Sequence, residues 1–327
     1  MSQYGAYGYA LHGKSYRFIL AHYYQGTKLG TVDPNEIVRV LLATGSAQFR
    51  GATLAGTQRL SATTTYTARA NSIGSLTLVE GGRRIGTFTA PLTITGPGPL
   101  TFSGDQYRGA LQLRPDGAGG VETVNAVDVE DYVRGVVSAE MPASWSPEAL
   151  KAQAVAARSY ALTNDVGGSA FQVYSDTRSQ MYRGVAAETS TTDAAVAATH
   201  DQVVTYRGQP VTTFFFASSG GHTENIEDAW PGATPEPWLR GVSDPYDGAG
   251  GDPYHRWQYK LSLASATAKL GQLVRGQLIA IQVLRVGSSP RIVSAAVLGT
   301  HGRTIVTGAE LQQAFGLLST YARFTTG

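Results

Sequence analysis

Two prolines, Pro142 and Pro147, constrain this chain more than any other feature, because they set the limits of a helix pair. Upstream of the first, Val129, Tyr132, Val133, Val136 and Val137 recur at helical spacing. Asp128 can cap that helix, and Asp131 adds negative charge to its first turn. A residue before proline avoids the α region, so the helix ends at Glu140 or Met141. Ser146-Pro147-Glu148 then supplies a capping serine, a proline at the first helical position and an acid, and an Ala-rich helix follows to about Asn164. Its narrow side chains suit close packing. The spacing therefore predicts helices over about 128–141 and 147–164.

The flanking sequence has a different period. Between residues 36 and 125, short apolar runs alternate with turn signals: Ile37–Ala43, Arg59–Ala62, Ser75–Val79, Arg84–Phe88, Leu92–Ile94, Leu111–Leu113 and Val121–Val124. Gly81-Gly82 and Gly96-Pro97-Gly98 are among the separators. With 39 glycines and only 15% charged residues, the composition agrees with a β-rich protein rather than a helical bundle. Near the start, Gly13-Lys14-Ser15 breaks and caps a helix striped by Tyr16, Ile19, Leu20 and Tyr23, which Gly26 ends. Gln202–Tyr206 and Val211–Ala217 flank a turn at Arg207-Gly208, and Phe214-Phe215-Phe216 reads as a strand buried on both faces. Residues 230–256 form a long Pro-, Gly- and Asp-rich loop, of the kind that is usually functional or mobile. After it come a helix near Ala264–Leu270, two or three strands from Gln277 to Val306, and a helix from Gly308 to Leu317. The expected class is α+β, a β-rich lobe plus a catalytic core in which the two helices pack on antiparallel strands. The expected division is a helical block at 1–30, a β-rich domain at 36–125 and a core at 126–327, with 258–327 as a separate lobe within it.

Several function classes are disfavoured. A net charge of +2 and the lack of any Lys/Arg run longer than two give no basic stripe for nucleic acid. The 42% hydrophobic content argues against disorder. With no cysteine, disulfides, a Cys nucleophile and thiolate metal sites are excluded. No apolar stretch is long enough to span a membrane, and Met1-Ser2-Gln3-Tyr4-Gly5 has neither the basic start nor the apolar run of a signal peptide. The six histidines include no His-Glu-x-x-His pair, so no metal site and no cofactor is expected.

Glu140 is the leading chemical candidate. It sits where a helix ends, beside Met141, Pro142 and Trp145. The negative end of the helix dipole and apolar neighbours both disfavour a carboxylate, as a general acid for glycosidic cleavage requires. On pattern alone, a surface glutamate at a helix end explains the same residue more readily. Lys151 and Arg158 lie seven apart on one face of the Ala-rich helix, as a basic edge on a cleft or as a solvated face. Ser218-Ser219-Gly220-Gly221-His222-Thr223-Glu224-Asn225 is dense in small polar groups. A serine nucleophile there would lack a Gly-x-Ser-x-Gly elbow, and a sugar-binding loop or a plain turn fits better.

The stretch Val124-Asn125-Ala126-Val127-Asp128-Val129-Glu130-Asp131-Tyr132-Val133-Arg134-Gly135-Val136-Val137-Ser138-Ala139-Glu140-Met141-Pro142 resembles the core signature of the stage II sporulation protein D / LytB family. So do Glu148 to Ala161, Ser179-Gln180-Met181-Tyr182-Arg183-Gly184, and Phe214 to Trp230, blocks that together span roughly 105–245. The resemblance implies a lytic transglycosylase acting on peptidoglycan glycan strands. LytB-type members imply the alternative, a non-catalytic glycan-binding enhancer of a cell-wall amidase. The family's catalytic glutamate falls on Glu140. Cleft residues carried over are Lys151, Arg158, Gln180, Tyr182, Ser218, Ser219, His222 and Asn225. Some members bind zinc through a cysteine pair. Here the matching positions are Tyr174 and Ser179, so no zinc is expected. An extracellular or cell-envelope location also follows from the resemblance.

One departure concerns order. Met1 to Ala6, Gly13 to Tyr16 and His22 to Thr27 resemble a block usual at the family's C-terminus, and the chain stops at Phe324-Thr325-Thr326-Gly327, about where that block would follow. A permuted order with the same fold accounts for this. The usual Gly-His-Gly run is missing, so the expectation is a trimmed start or one placed at an internal Met, with any signal or anchor lying upstream.

Overall fold

The computed structural model describes residues 1–33, 35–72 and 74–325, so Thr326 and Gly327 lie outside the described residues. The described residues contain eight α-helices: α1 (Gln3–Leu11), α2 (Tyr16–Tyr23), α3 (Val129–Glu140), α4 (Pro147–Leu162), α5 (Ser190–Ala197), α6 (Ile226–Ala229), α7 (Leu263–Leu270) and α8 (Gly308–Phe315). The class is α+β, with mostly antiparallel sheets and segregated helices. The chain divides into two compact units. One is Lys28–Phe214, and the other joins Met1–Thr27 to Phe215–Gly327.

In the first unit, a seven-stranded sheet runs in the order Val173–Tyr174, Ile37–Gly45, Val121–Asp128, Ala110–Pro115, Leu92–Thr95, Leu54–Ala55, Gln58–Arg59. A six-stranded sheet is built from Asp105–Tyr107, Leu100–Phe102, Ala47–Arg50, Tyr66–Ser72, Ser75–Glu80 and Arg83–Thr89. The strand expected over Arg59–Ala62 shrinks to Gln58–Arg59. The chain turns there instead, with the Ser61 amide donating to the Tyr66 hydroxyl at 2.9 Å.

The strand Val121–Asp128 positions the site. It pairs antiparallel with Ala110–Pro115 on one side and Ile37–Gly45 on the other. A register shift between Thr123 and Val124 breaks the in–out alternation, so Thr123, Val124 and Asn125 are all buried. The expected boundary at residue 125 falls inside this strand. The strand feeds directly into α3, where the Asp128 carboxylate caps the Glu130 amide at 2.9 Å. Met141 is extended (φ −128°, ψ 139°), as a residue before proline should be, and α3 stops at Glu140. Pro147 opens α4 as expected. Ser146 occupies the cap position without a side-chain bond, and its carbonyl takes the Ala149 and Leu150 amides instead.

α3 and α4 pack on each other and are largely buried; in α4, Ala149, Ala152, Ala154, Ala156, Ala157 and Ala161 are fully buried. Gly135 lets the Tyr182 ring lie against α3, since a Cβ there would stand 2.5 Å from Tyr182 Cε2. That ring stacks on Tyr132 at 5.1 Å and its hydroxyl is tied to Asn125, so it cannot yield. In a helix Gly135→Ala would ordinarily gain about 1 kcal/mol. Overpacking costs about 1–3 kcal/mol and should win here. Urea unfolding is expected to show a net loss of stability; a net gain would mean the ring moves freely.

Phe214-Phe215-Phe216 corrects the sequence reading. The second hairpin strand is only Gln209–Pro210, and Phe216 is exposed. Beyond it the chain takes its partners elsewhere. The Thr213 hydroxyl bonds the Ala156 carbonyl at 2.7 Å. In the other unit the Phe216 amide donates to the Met1 carbonyl at 3.0 Å, and the Gln3 amide donates back to Phe216 at 2.8 Å.

In that second unit Tyr16, Ile19, Leu20 and Tyr23 are the buried stripe of α2, as their spacing indicated. The strands Leu278–Val286, Ile292–Gly299 and Gly302–Thr307 form an antiparallel sheet. One core joins Ile292, Val297 and Val306 to Ala266 and Leu270 of α7 and Leu311 and Phe315 of α8. No helix among the described residues is long and apolar enough to cross a membrane.

Candidate active site

Glu140 is the last residue of α3 and is half-buried. Its Oε1 accepts the Met181 backbone N–H at 2.6 Å. That amide is held in place by its neighbours. The Tyr182 amide donates to the Ser175 carbonyl at 3.1 Å, and the Arg183 amide donates to the Gly135 carbonyl at 3.0 Å. Gln180 Nε2 bonds both the Tyr132 hydroxyl, at 3.0 Å, and the Ala157 carbonyl, at 3.2 Å. The Ser179–Gly184 segment thus ties α3 to α4 through Gln180 and bonds the Glu140 carboxyl group through Met181.

Burial raises the Tyr132 phenol well above its ordinary range, and Tyr182, Tyr160 and Glu140 push it the same way, so it stays protonated. Glu130 and Glu188 are engaged by arginines. Arg158 makes two 2.7 Å bonds to Glu130, and Arg108 bonds the two Glu188 oxygens at 2.6 and 2.7 Å.

Three residues carried over as cleft contacts in this unit are framework instead. Arg158 is fully buried; both its Nε and Nη2 are given to Glu130 and its Nη1 to the Gln202 carbonyl. A guanidinium so placed has no face to offer a glycan. Gln180 is fully buried across the α3–α4 interface. Tyr182 is buried with its hydroxyl on Asn125 Oδ1 at 2.7 Å. Lys151 is half-buried and pairs with Glu148 at 2.8 Å. The sequence reading missed the Met181 amide, because a backbone donor carries no residue-type signal.

The other four residues belong to the second unit. Ser219 is fully buried, its hydroxyl on Asp244 Oδ2 at 2.8 Å, which removes it from the surface. Ser218 is half-buried and donates to Asp247 Oδ2 at 3.0 Å. The half-buried His222 turns back on its own backbone, Nδ1 lying 2.7 Å from the Thr223 carbonyl. Asn225 takes the Gly241 amide on Oδ1 at 2.9 Å. Behind the loop, Arg291 donates to the Ser219 and His222 carbonyls at 2.6 Å each.

The hub here is Asp247, which the sequence reading did not single out. It is fully buried and accepts five bonds: from Ser2 Oγ, Ser218 Oγ, the Ser219 and Gly220 amides, and His255 Nδ1. Those bonds hold it below the usual carboxylate range despite burial. Its signal was present, since Asp244-Pro245-Tyr246-Asp247 is a turn sequence in the loop flagged as functional.

Burial pushes Asp244 up to about 6, against the Ser219 hydroxyl, which lowers it. The folded protein therefore binds this proton more tightly than the unfolded chain, whose aspartate titrates near 3.8. The stability it contributes is complete below that value and is lost as pH rises through about 6. Between about pH 4 and about pH 7, Asp244→Asn should flatten the fall in melting temperature relative to wild type. Parallel falls in the two proteins would show that Asp244 does not titrate there.

Among the described residues, two groups of side chains have ligand atoms close enough together for a metal: Glu130, His200 and Asp201, and Asp247, Asp252 and His255. Arg158 holds both oxygens of Glu130, and Asp247 already accepts five donors, so neither carboxylate suits an ion.

The fold and this geometry define an α+β protein that presents one carboxyl group at the end of a buried helix, oriented by a backbone amide. Residues 117–206 match the family model described as Stage II sporulation protein, SpoIID. Stage II sporulation protein D of Bacillus subtilis (strain 168) is 35% identical over 217 residues, 61% of this chain and 60% of that protein. The protein of the same name from Bacillus amyloliquefaciens is 31% identical over 214 residues, 60% of each chain. The Amidase enhancer of Bacillus subtilis (strain 168) is 41% identical over 103 residues, 32% of this chain and 14% of that protein. By these matches the chain resembles the stage II sporulation protein D family over part of its length. Its matched part spans 60% of the length of the two relatives that carry that name.

Proposed function

We propose that the chain is a cell-wall enzyme, a peptidoglycan lytic transglycosylase that cleaves the MurNAc–GlcNAc glycosidic bond with Glu140 as its single catalytic acid and base. The observation that carries this reading is the Met181 amide on Glu140 Oε1 at 2.6 Å. An oxygen that accepts an N–H bond is held in one direction, so this amide orients the carboxyl group. Glu140 protonates the bridging oxygen, and the bond from that oxygen to C1 of MurNAc breaks. The carboxylate then takes the proton of the sugar's C6 hydroxyl as that oxygen closes on C1. The product is a 1,6-anhydro end. Because the attacking hydroxyl is intramolecular, no second carboxylate has to position water, unlike ordinary glycosidases. The arginine pairing of Glu130 and Glu188 supports the single-acid form of the reaction. Lys151 remains the candidate contact to glycan in this unit. Ser218, His222 and Asn225 remain candidates in the other.

The similarity to stage II sporulation protein D supports a location in the bacterial envelope or outside the cell. A second reading is favoured by the similarity to the Amidase enhancer: a glycan-binding partner that stimulates a cell-wall amidase without cleaving the glycan itself. Purified glycan strands incubated with the protein and analysed by mass spectrometry decide between them. Anhydro-muropeptides are expected. Glycan binding without any anhydro product, together with stimulation of an added amidase, would replace the first reading by the second.

A further inference from the structure

We infer that the second unit carries a saccharide-binding subsite of its own on the segment from Asp252 to Tyr259, with Tyr254 and His255 as its contact residues. The choice of an N-acetylated glycan as ligand class rests on the function proposed above. Tyr254, His255, Trp257 and Tyr259 bring three aromatic rings and an imidazole into one short segment without regular secondary structure. Tyr254 is 47% and Tyr259 49% exposed. Such a density of outward rings is unusual for a solvated loop and suits a ligand with flat apolar faces.

Each contact residue is held by an inner partner. The Tyr254 amide donates to Asp252 Oδ1 at 2.8 Å, and its ring meets the Tyr4 ring edge-on at 6.4 Å. His255 Nδ1 lies 3.0 Å from Asp247 Oδ2. Asp247 is fully buried and acceptor-only, so it fixes the proton on Nδ1 and leaves Nε2 as an acceptor. Trp257 and Tyr259 pack edge-to-face at 5.4 Å. Tyr254 and His255, adjacent in the chain, are thus each fixed by a partner of their own.

A pyranose has a C–H face that packs on an aromatic ring and a rim of hydroxyl donors that an imidazole Nε2 can accept. An anionic ligand fits less well, because Asp247 and Asp252 lie immediately behind His255. A metal fits less well because the lone pairs of Asp247 are occupied.

The test titrates the full chain with a tetramer of N-acetylglucosamine by calorimetry, for wild type, Tyr254→Ala and His255→Ala. Each substitution is expected to weaken binding about fivefold or more, and Tyr254→Ala to leave the melting temperature unchanged. Tyr254→Phe and His255→Gln, which keep a ring and an acceptor, should bind within about twofold of wild type. If an alanine variant proves unstable, those two variants carry the test, since losing binding in both would contradict a ring-and-acceptor site. Unchanged affinity in both alanine variants overturns the inference. So does stoichiometric Zn²⁺ binding that is lost in His255→Ala when no saccharide binds. Cleavage is scored separately in each protein. Anhydro product with saccharide binding indifferent to Tyr254 and His255 defeats this subsite alone. Binding that depends on both residues, in a protein that yields no anhydro product, defeats the cleavage reading alone.

Discussion

Glu140→Gln is expected to lower glycan cleavage by about 10²-fold to 10⁴-fold, the usual contribution of a positioned general acid–base group. The amide keeps the size of the side chain, and its oxygen can still accept the Met181 N–H. It can neither donate a proton to the bridging oxygen nor take one from the C6 hydroxyl. A neutral amide is at least as compatible with the C-terminal end of the α3 dipole as the carboxyl group it replaces, so the fold should not suffer. Rates of anhydro-muropeptide formation and thermal melts, measured on the same preparations, give the answer. A rate equal to wild type would remove Glu140 from the chemistry. Glu140→Asp withdraws the carboxyl group by one methylene and breaks its register with Met181; it should lose most of the rate while keeping an ionisable acid.

The helix pair was legible because each of its signals is local. Pro142, Pro147 and the valine stripe act within one turn of themselves, and the observed limits of α3 and α4 follow them. The helices and sheet of the last seventy residues were legible for the same reason, down to Thr307 and Glu310 closing a capping box on α8. Strands such as Ala47–Arg50 and Leu100–Phe102 were missed because each is only three or four residues long and is defined by its neighbours in the sheet. The Phe214–Phe216 run misled because apolar content alone does not say which partners a strand will find. The site divides along the same line. Glu140 could be read from a helix end and a family pattern, whereas burial could not. Arg158, Gln180, Tyr182 and Ser219 are polar residues in a motif, and polar residues in a motif suggest contact with substrate. Three-dimensional packing turned all four inward. A motif constrains structure as strictly as it constrains chemistry, and one chain does not distinguish the two.

The ion pair between Arg158 and Glu130 makes that distinction measurable. Arg158 is fully buried, and Glu130 takes the Asp201 amide at 3.1 Å as well as the guanidinium. Arg158→Met preserves much of the volume but leaves a buried carboxylate without its cation. Breaking one side of such a pair costs about 3–5 kcal/mol, a large part of the stability of an ordinary domain. Glu130→Gln should cost a similar amount, because it strands the guanidinium. Arg158→Met combined with Glu130→Leu should cost less than the sum of the single changes, since neither charge then remains to be desolvated. Urea unfolding of the four proteins measures the coupling directly. A substrate contact predicts the opposite pattern: Arg158→Met would leave the unfolding midpoint where it is and weaken glycan binding. The sign of that one comparison therefore decides whether Arg158 holds the sugar or holds the scaffold, and the geometry assigns it to the scaffold.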